Sequence, residues 1–291
     1  MPQPRLGLAL ALALVAACGA PDVQPLHEAK RLEPTKAVPK DSKTSPPTST
    51  PEPTPEPTPT PAPTPAPYVR PGDRATQRDE LTFWGFSTDG QRYAFETYYY
   101  GPGAAECEGV ATLYVVDADT DTFAAGTPHE IKHRQPDAER CDPPDIKAEM
   151  SRHRDELFHK HDIVIGNQGA PIVPVRESGG PGKAPTWTIA LPGGPSLRAE
   201  LSVQYGGRDK AGDPGAAYTL TLAAGGAAPA LVVEPGKRRR PFVWDYSLED
   251  GVVFVGPDGK HLAIVLTTLQ LSFEGDRRSF MSNGIKTPAQ G

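Results

Sequence analysis

The strongest pattern in the sequence lies in residues 84–121, where apolar runs flank an Asp-Gly turn. Residues 92–100 are rich in aromatic residues and threonine, which suit a half-buried strand. Asp89 and Gly90 precede this run. Aspartate bonds readily to its own backbone and glycine accepts positive φ, so the pair is typical of a hairpin turn. With a further apolar run at 112–117, the segment predicts an antiparallel meander.

A second Asp-Gly turn near the C-terminus, Asp258-Gly259, has similar surroundings. Five positions align: Phe86, Asp89, Gly90, Ala94 and Phe95 with Val255, Asp258, Gly259, Ala263 and Ile264. We interpret this as a divergent internal duplication with both turns in structural roles. Asp-Gly hairpins are common, so chance similarity is the alternative interpretation.

The run GFSTDGQRYAFE, followed by LYVVD, resembles the blade motif of periplasmic β-propellers of the WD40-like type, such as the propeller of the Tol-Pal system. Over residues 81–128 and 243–280 the chain is similar to a family of bacterial predicted secreted proteins. That resemblance implies no activity, catalytic residue or ligand. A closed propeller needs about four blades or more, and two motif copies are too few. We therefore expect a mainly β fold of antiparallel meander sheets, either a β-sandwich or a partial, propeller-like barrel.

One helical insert is expected at residues 145–161, after Pro143-Pro144, with acidic residues early and basic residues late. Its apolar residues lie roughly along one face: Ile146, Met150, Leu157 and Phe158. Residues 162–175 are predicted to return to strand, with Ile163, Val164 and Ile165 buried. Further strands are predicted at 186–191, 197–205, 217–222, 231–234 and 265–273.

Residues 1–17 have the features of a bacterial export signal, with Arg5 before an apolar run too short to span a membrane. Val15-Ala16-Ala17-Cys18 resembles a lipobox, which implies that Cys18 is lipidated after cleavage. Glycine at position 19 suggests the outer membrane of a Gram-negative bacterium. An ordinary signal with an incidental cysteine is the alternative.

Residues 18–72 are predicted to be the lipidated cysteine and a disordered linker, because the alternating prolines of 51–67 exclude helix and sheet. Residues 73–284 are predicted to form one β-rich domain, and residues 285–291 a flexible tail. The linker is read as a spacer between membrane and domain.

The two cysteines that remain, Cys107 and Cys141, are predicted to form a disulfide, as suits an oxidising compartment. Free thiols or metal ligands are the alternative. No CxxC is present, so nothing in the sequence supports a thioredoxin-like site.

Five histidines suggest the sharpest chemical hypothesis, a zinc or copper site on the insert. They are His129, His133, His153, His159 and His161. His159 and His161 are two positions apart, which on a helix directs them to different faces. A solvated surface helix is the simpler interpretation, so no metal and no cofactor is predicted.

Other chemistry has little support in the sequence. There is no GxSxG motif. The acidic run 117–121 spaces its oxygens as calcium loops do, yet it lacks the later Gly and Glu, so a β-turn is preferred. The basic cluster 237–240 is interpreted as a solvated loop, or as a contact with lipopolysaccharide or a partner. The tyrosines at 98–100 are interpreted as a strand, with a sugar or partner platform as the alternative. The net charge of −6 and the predicted location in the cell envelope argue against nucleic-acid binding.

From these observations we expect an envelope lipoprotein, held to the membrane by its lipid anchor, whose domain is a non-enzymatic module for a protein or glycan partner. A periplasmic metal-binding protein using the histidine-rich insert is the first alternative. A hydrolase of cell wall or polysaccharide, using Asp89 and Asp258, is the second.

Overall fold

The computed structural model of the chain describes residues 66–73, 77–102, 107–135, 146–177, 184–208, 212, 214–224, 230–237, 239–272 and 275–287. The predicted signal peptide, Cys18, Cys141 and nearly all of the Pro-rich linker lie outside these residues.

The first sheet, sheet I, has six antiparallel strands in the order β1-β2-β3-β4-β5, with β6 also paired to β4. They are β1 (Tyr68–Arg70), β2 (Glu80–Phe86), β3 (Arg92–Pro102), β4 (Cys107–Asp117), β5 (Thr122–Phe123) and β6 (His129–Gln135). The one helix among the described residues, α1 (Ile146–His161), follows β6 in the chain.

Two more antiparallel sheets follow the helix. Sheet II has the order β11-β10-β9-β8-β7, with β12 paired to β10: β7 (Val175–Arg176), β8 (Thr186–Ile189), β9 (Leu197–Arg208), β10 (Pro214–Ala224), β11 (Leu231–Pro235) and β12 (Arg240–Pro241). Sheet III is a three-stranded meander of β13 (Val243–Val255), β14 (His261–Ser272) and β15 (Gly275–Lys286).

Sheet III is buried on both faces. Side chains alternate along a strand. On β14, Leu262 and Ile264 join the core shared with sheet II, while Ala263 and Val265 join the core shared with sheet I. This explains why both strands of the second Asp-Gly hairpin read as nearly continuous apolar runs, which is typical of a strand covered on two sides. The order of layers is therefore sheet I, sheet III, sheet II.

Sheet I meets sheet III through aromatic packing and meets the helix on its other face. The rings of Phe83 and Phe254 stack with centroids 3.9 Å apart. On the outer face, Leu113 packs in one cluster with Ile146 and Met150 of α1, all of them fully buried. Burying one such side chain stabilises the fold by about 1.5–3 kcal/mol, so α1 is a structural layer of the domain.

The predicted fold class is confirmed: the described residues are mainly β, with antiparallel sheets, a single helix and no closed barrel. Both Asp-Gly hairpins and the helix lie where the sequence indicates. None of the described helices is long and apolar enough to cross a membrane.

Three predicted boundaries or strands need correction. Strand β1 lies inside the predicted linker. It belongs to the domain because the ring of Tyr68 packs edge-on against that of Phe254, with ring centroids 5.3 Å apart. Strand β15 runs to Lys286, beyond the predicted domain end. Residues 162–175 are not a regular strand: Val164 and Ile165 are 42% and 40% exposed, and only Ile163 is buried as predicted.

Candidate functional site

Asp89 closes the first hairpin turn. Its Oδ1 accepts hydrogen bonds from the Ser87 hydroxyl at 2.6 Å and from the Gln91 amide at 3.0 Å. The Ser87 hydroxyl, followed by the Gln91 amide, holds the pKa of Asp89 below its usual value of 3.8. The Ser87 amide donates to the Arg92 carbonyl at 2.8 Å, and Gly90 has φ +75°. These hydrogen bonds within the turn explain why an aspartate stands at position 89.

Asp258 does the same in the second turn. Its Oδ1 accepts from the amides of Lys260 at 2.9 Å and His261 at 3.2 Å, and Gly259 has φ +67°. The Gly256 amide donates to the His261 carbonyl at 2.8 Å, as the Ser87 amide does in the first turn. The two turns therefore share one hydrogen-bond scheme.

His261 joins the second turn to the loop after β4. Its side chain is 4% exposed, with Nδ1 2.7 Å from Asp258 Oδ2 and Nε2 3.1 Å from Asp119 Oδ1. Burial raises the pKa of Asp258, but hydrogen bonds from the Lys260 amide and from His261 outweigh it, and the net pKa is lowered. A histidine enclosed in this way has both ring nitrogens occupied. The cluster of Asp119, His261 and Asp258 therefore holds the loop after β4 against the second hairpin.

The three carboxylates of the 117–121 run point to different partners. Asp117 Oδ1 accepts from the Thr120 amide at 3.0 Å within the turn, and Asp119 bonds His261. Asp121 accepts from Asn283 Nδ2 at 2.8 Å and from the Gly284 amide at 2.7 Å, on sheet III. The run therefore serves as a turn that docks sheet I onto sheet III.

The five candidate histidine ligands are dispersed. His129 and His153 lie side by side with ring centroids 4.4 Å apart, and His133 Nε2 lies 2.9 Å from Glu149. His161 is buried 3.0 Å from the Ala125 carbonyl, and His159 is exposed. No group of three or more His, Cys, Asp or Glu that could hold a metal occurs in the described part of the chain.

Cys107 is disulfide-bonded. The predicted partner, Cys141, lies outside the described residues, so the pairing stays a prediction.

The structure places two further segments that the sequence analysis singled out. In the basic cluster, Arg239 donates to the carbonyls of Gln204 and Gly215 at 3.3 and 3.4 Å, so it packs against sheet II instead of lying in a solvated loop. Tyr99 and Tyr100 are buried, with Arg277 stacked over the Tyr99 ring at 4.0 Å. The preferred interpretation of the tyrosine run, a strand, is therefore confirmed.

A groove beside strand β13 was not predicted. Two adjoining cavities of about 600 and 430 Å³ share four lining residues: Asp245, Tyr246, Ser247 and Glu249. We call their union the β13 groove. Strands β8 and β9 line the first cavity with Trp187, Leu201 and Tyr205, while β14 and β15 line the second with Thr267 and Arg278.

An irregularity in β13 shapes this groove. From Ser247 to Val252 the strand uses five positions where its partner β14 uses two, from Thr267 to Val265. Such a bulge bends a strand and redirects its side chains. Gly251 permits it, since a Cβ there would lie 2.7 Å from the Val265 carbonyl oxygen. The bulge buries Leu248 and brings Glu249 and Asp250 to the groove lining.

Two buried polar groups in the groove lining lack a partner among the described residues. They are the indole Nε1 of Trp187, a residue 2% exposed, and the hydroxyl of Thr267, 6% exposed. An unsatisfied buried polar group costs about 1–3 kcal/mol. A bound ligand that supplies hydrogen-bonding groups would remove that cost.

Charged residues of the groove lining form loose ion pairs. Arg176 lies 3.5 Å from Glu249, and Arg278 lies 3.4 Å from Asp250. These distances exceed the usual 2.9–3.0 Å for an N–H···O bond, so the groups keep hydrogen-bonding capacity for another molecule. Tyr205 is 66% exposed, and its hydroxyl donates to Asp245 at 3.1 Å.

Comparison with known proteins gives one family. Residues 94–286 match a family described as "Predicted secreted protein (DUF2259)". No curated protein and no solved structure matches the chain.

Proposed function

The chain belongs to the predicted secreted protein family DUF2259, and from this premise we propose that it is an envelope lipoprotein with a non-enzymatic binding domain. Acyl chains on Cys18 hold it to the membrane, the outer membrane of a Gram-negative cell, and the Pro/Thr-rich linker sets the distance of the domain from that surface. The domain binds a protein or glycan partner in the β13 groove.

The β13 groove is the observation that carries the proposal. Its walls come from strands of two sheets that share one apolar core, so the groove exists before any ligand arrives. Pre-formed clefts with a few placed polar groups are the usual form of a ligand site. The turn aspartates Asp89 and Asp258 are engaged in hydrogen bonds within their own hairpins, which favours a scaffold role for them over hydrolysis.

The anchor is tested by labelling cells with a palmitate analogue. The wild type is expected to take up label and to sediment with membranes. Cys18→Ser is expected to lose both properties, because the acyl acceptor is the thiol. Unlabelled wild-type protein in the soluble fraction would overturn the anchor and leave the binding proposal open.

The binding role is tested by crosslinking in intact cells. A photoreactive amino acid at Ser202, an exposed residue of the groove lining, is expected to give a discrete adduct. The same amino acid at Phe123, exposed on sheet I, is the matched control and is expected to give none. Equal adducts from both positions, or none from either, would contradict the groove as the binding site.

A second candidate function is metal binding at the histidine pair. The rings of His129 and His153 lie 4.4 Å apart, and the buried Nε2 of His129 has no partner among the described residues. Metal analysis of untagged protein decides this. Stoichiometric zinc or copper that is lost in His153→Asn would favour it, and protein without metal would remove it.

A further inference from the structure

We propose that the ligand of the β13 groove is an uncharged oligosaccharide, in the class of neutral or N-acetylated sugars. This inference rests on the proposed binding function and names the class of molecule that the groove takes.

The buried donors favour a ligand rich in hydroxyl and carbonyl oxygens. Trp187 offers an N–H donor and no acceptor, and Thr267 offers a hydroxyl that both donates and accepts. The two belong to different cavities of the same groove. A single ligand that meets both must carry polar oxygens along its length, as a chain of sugar rings does.

The aromatic lining favours a ring-shaped ligand with an apolar face. Tyr205 is 66% exposed, and the bond from its hydroxyl to Asp245 restrains the ring beside the groove. An aromatic ring that is exposed and held in one position can stack on the C–H face of a sugar.

The charges of the lining disfavour an anionic ligand. The groove lining holds three carboxylates, Asp245, Glu249 and Asp250, against two guanidinium groups, Arg176 and Arg278. An excess of one negative charge would repel phosphate, sulfate or uronate chains. The loosely paired guanidinium and carboxylate groups suit vicinal hydroxyls, which both donate and accept hydrogen bonds.

The backbone of β13 disfavours an extended peptide. Strand addition requires free main-chain groups at a sheet edge. The amide of Tyr246 already donates to Asp245 Oδ1 at 2.8 Å, and the amide of Glu249 donates to Ser247 Oγ at 2.9 Å. Side chains of the strand therefore occupy donors that an added strand would use, so a glycan is favoured over a peptide.

The test is calorimetric titration of the full mature protein, purified in detergent, with four probes: chitotetraose, maltotetraose, a sulfated tetrasaccharide and an extended Val/Thr hexapeptide. At least one uncharged sugar is expected to bind. Tyr205→Ala should weaken it about tenfold, by loss of stacking. Trp187→Phe keeps a ring, removes the donor, and should weaken it about fivefold. Phe123→Ala is the control and should leave affinity unchanged.

The outcomes separate this inference from the proposed function. Binding of the hexapeptide or the sulfated sugar, weakened by Tyr205→Ala, would overturn the ligand class and leave a binding groove in place. If no probe binds at millimolar concentration while Ser202 crosslinks to a protein, the ligand class is again wrong. If no probe binds and Ser202 gives no adduct, both proposals fail.

Discussion

Gly90 and Asp258 belong to different hairpins, yet a Cβ on Gly90 would lie 2.9 Å from Cγ of Asp258. The turns of the two Asp-Gly hairpins are therefore packed against each other. Asp258 cannot move aside easily, because it holds the amides of Lys260 and His261 and the His261 ring.

Alanine substitutions at the two turn glycines should separate this contact from backbone strain. Both glycines have positive φ, +75° at Gly90 and +67° at Gly259, and alanine there costs about 1–2 kcal/mol. Nothing lies within 4 Å of a Cβ on Gly259. We expect Gly90→Ala to lower the free energy of unfolding by about 1–3 kcal/mol more than Gly259→Ala. Equal losses in urea denaturation would show that the contact with Asp258 is not tight.

Asp89 should stabilise the fold in a pH-dependent way. Its pKa is lowered, chiefly by the Ser87 hydroxyl, so its contribution is present above the unfolded value near 3.8 and is lost as pH falls through the folded value. Asp89 is exposed, so Asp89→Asn should cost only about 0.5–1 kcal/mol at neutral pH. The difference in free energy of unfolding between the wild type and Asp89→Asn should disappear in acid.

Urea denaturation from pH 2 to pH 7 checks this prediction, with Asp276→Asn, an exposed aspartate of β15, as the control. A loss at Asp89→Asn that is constant across the pH range would contradict the turn carboxylate as its source.

The parts of the fold that local chemistry specifies could be predicted from the sequence. Turn signals lie within a few residues at Asp89-Gly90 and Asp258-Gly259, and the helix 146–161 has both end signals and a helical period. The layering could not be predicted in this way. The apolar run of β14 indicates burial on both faces, but nothing local says which sheet covers each face.

Residues 162–175 show why one strand prediction was wrong. Ile163, Val164 and Ile165 read as a buried strand, but the segment is bound through its backbone to the edge of β2. The Val164 amide donates to the Phe86 carbonyl at 3.0 Å, and the Gly166 amide donates to the Trp84 carbonyl at 2.7 Å. Main-chain bonds fix this segment, so its aliphatic side chains need not be buried.

The β13 groove was beyond prediction for a different reason. Trp187, Tyr205, Asp245 and Thr267 lie on four strands, and each reads as an ordinary strand residue. Only the arrangement of sheets II and III brings them together. The Glu249-Asp250-Gly251 interruption of the apolar pattern in β13 is the one local signal of the bulge.

The predicted disulfide has a direct chemical test. Cys107 is disulfide-bonded, and Cys141 stands 34 positions away in the sequence. Closing a loop of that length is worth about 3.5 kcal/mol on the chain-entropy account. Mass spectrometry of an unreduced digest should find the two cysteines in one linked peptide, and the double serine variant should lose stability of that order. A linkage of Cys107 to Cys18 would contradict both the pairing and the lipidation.

The ionised form of Glu96 should destabilise the fold, whereas the ionised form of Asp89 stabilises it. This glutamate of β3 is 7% exposed, and it accepts a hydrogen bond from Trp84 Nε1 at 3.3 Å. Burial raises its pKa above the usual 4.5, against the attraction of Arg154. A carboxyl with a raised pKa stabilises the fold below the unfolded value, and that stability is lost as pH rises through the folded value.

Glu96→Gln should therefore raise the free energy of unfolding at neutral pH, by up to about 1 kcal/mol, and have little effect below pH 4.5, because glutamine keeps the acceptor without the charge. Glu177→Gln is the matched control. The hydroxyls of Thr188 and Thr186 lower the pKa of Glu177, so its loss should destabilise the fold at neutral pH. Thermal unfolding at several pH values measures both variants. A destabilised Glu96→Gln at neutral pH would mean that Arg154 and Trp84 outweigh the burial of the charge.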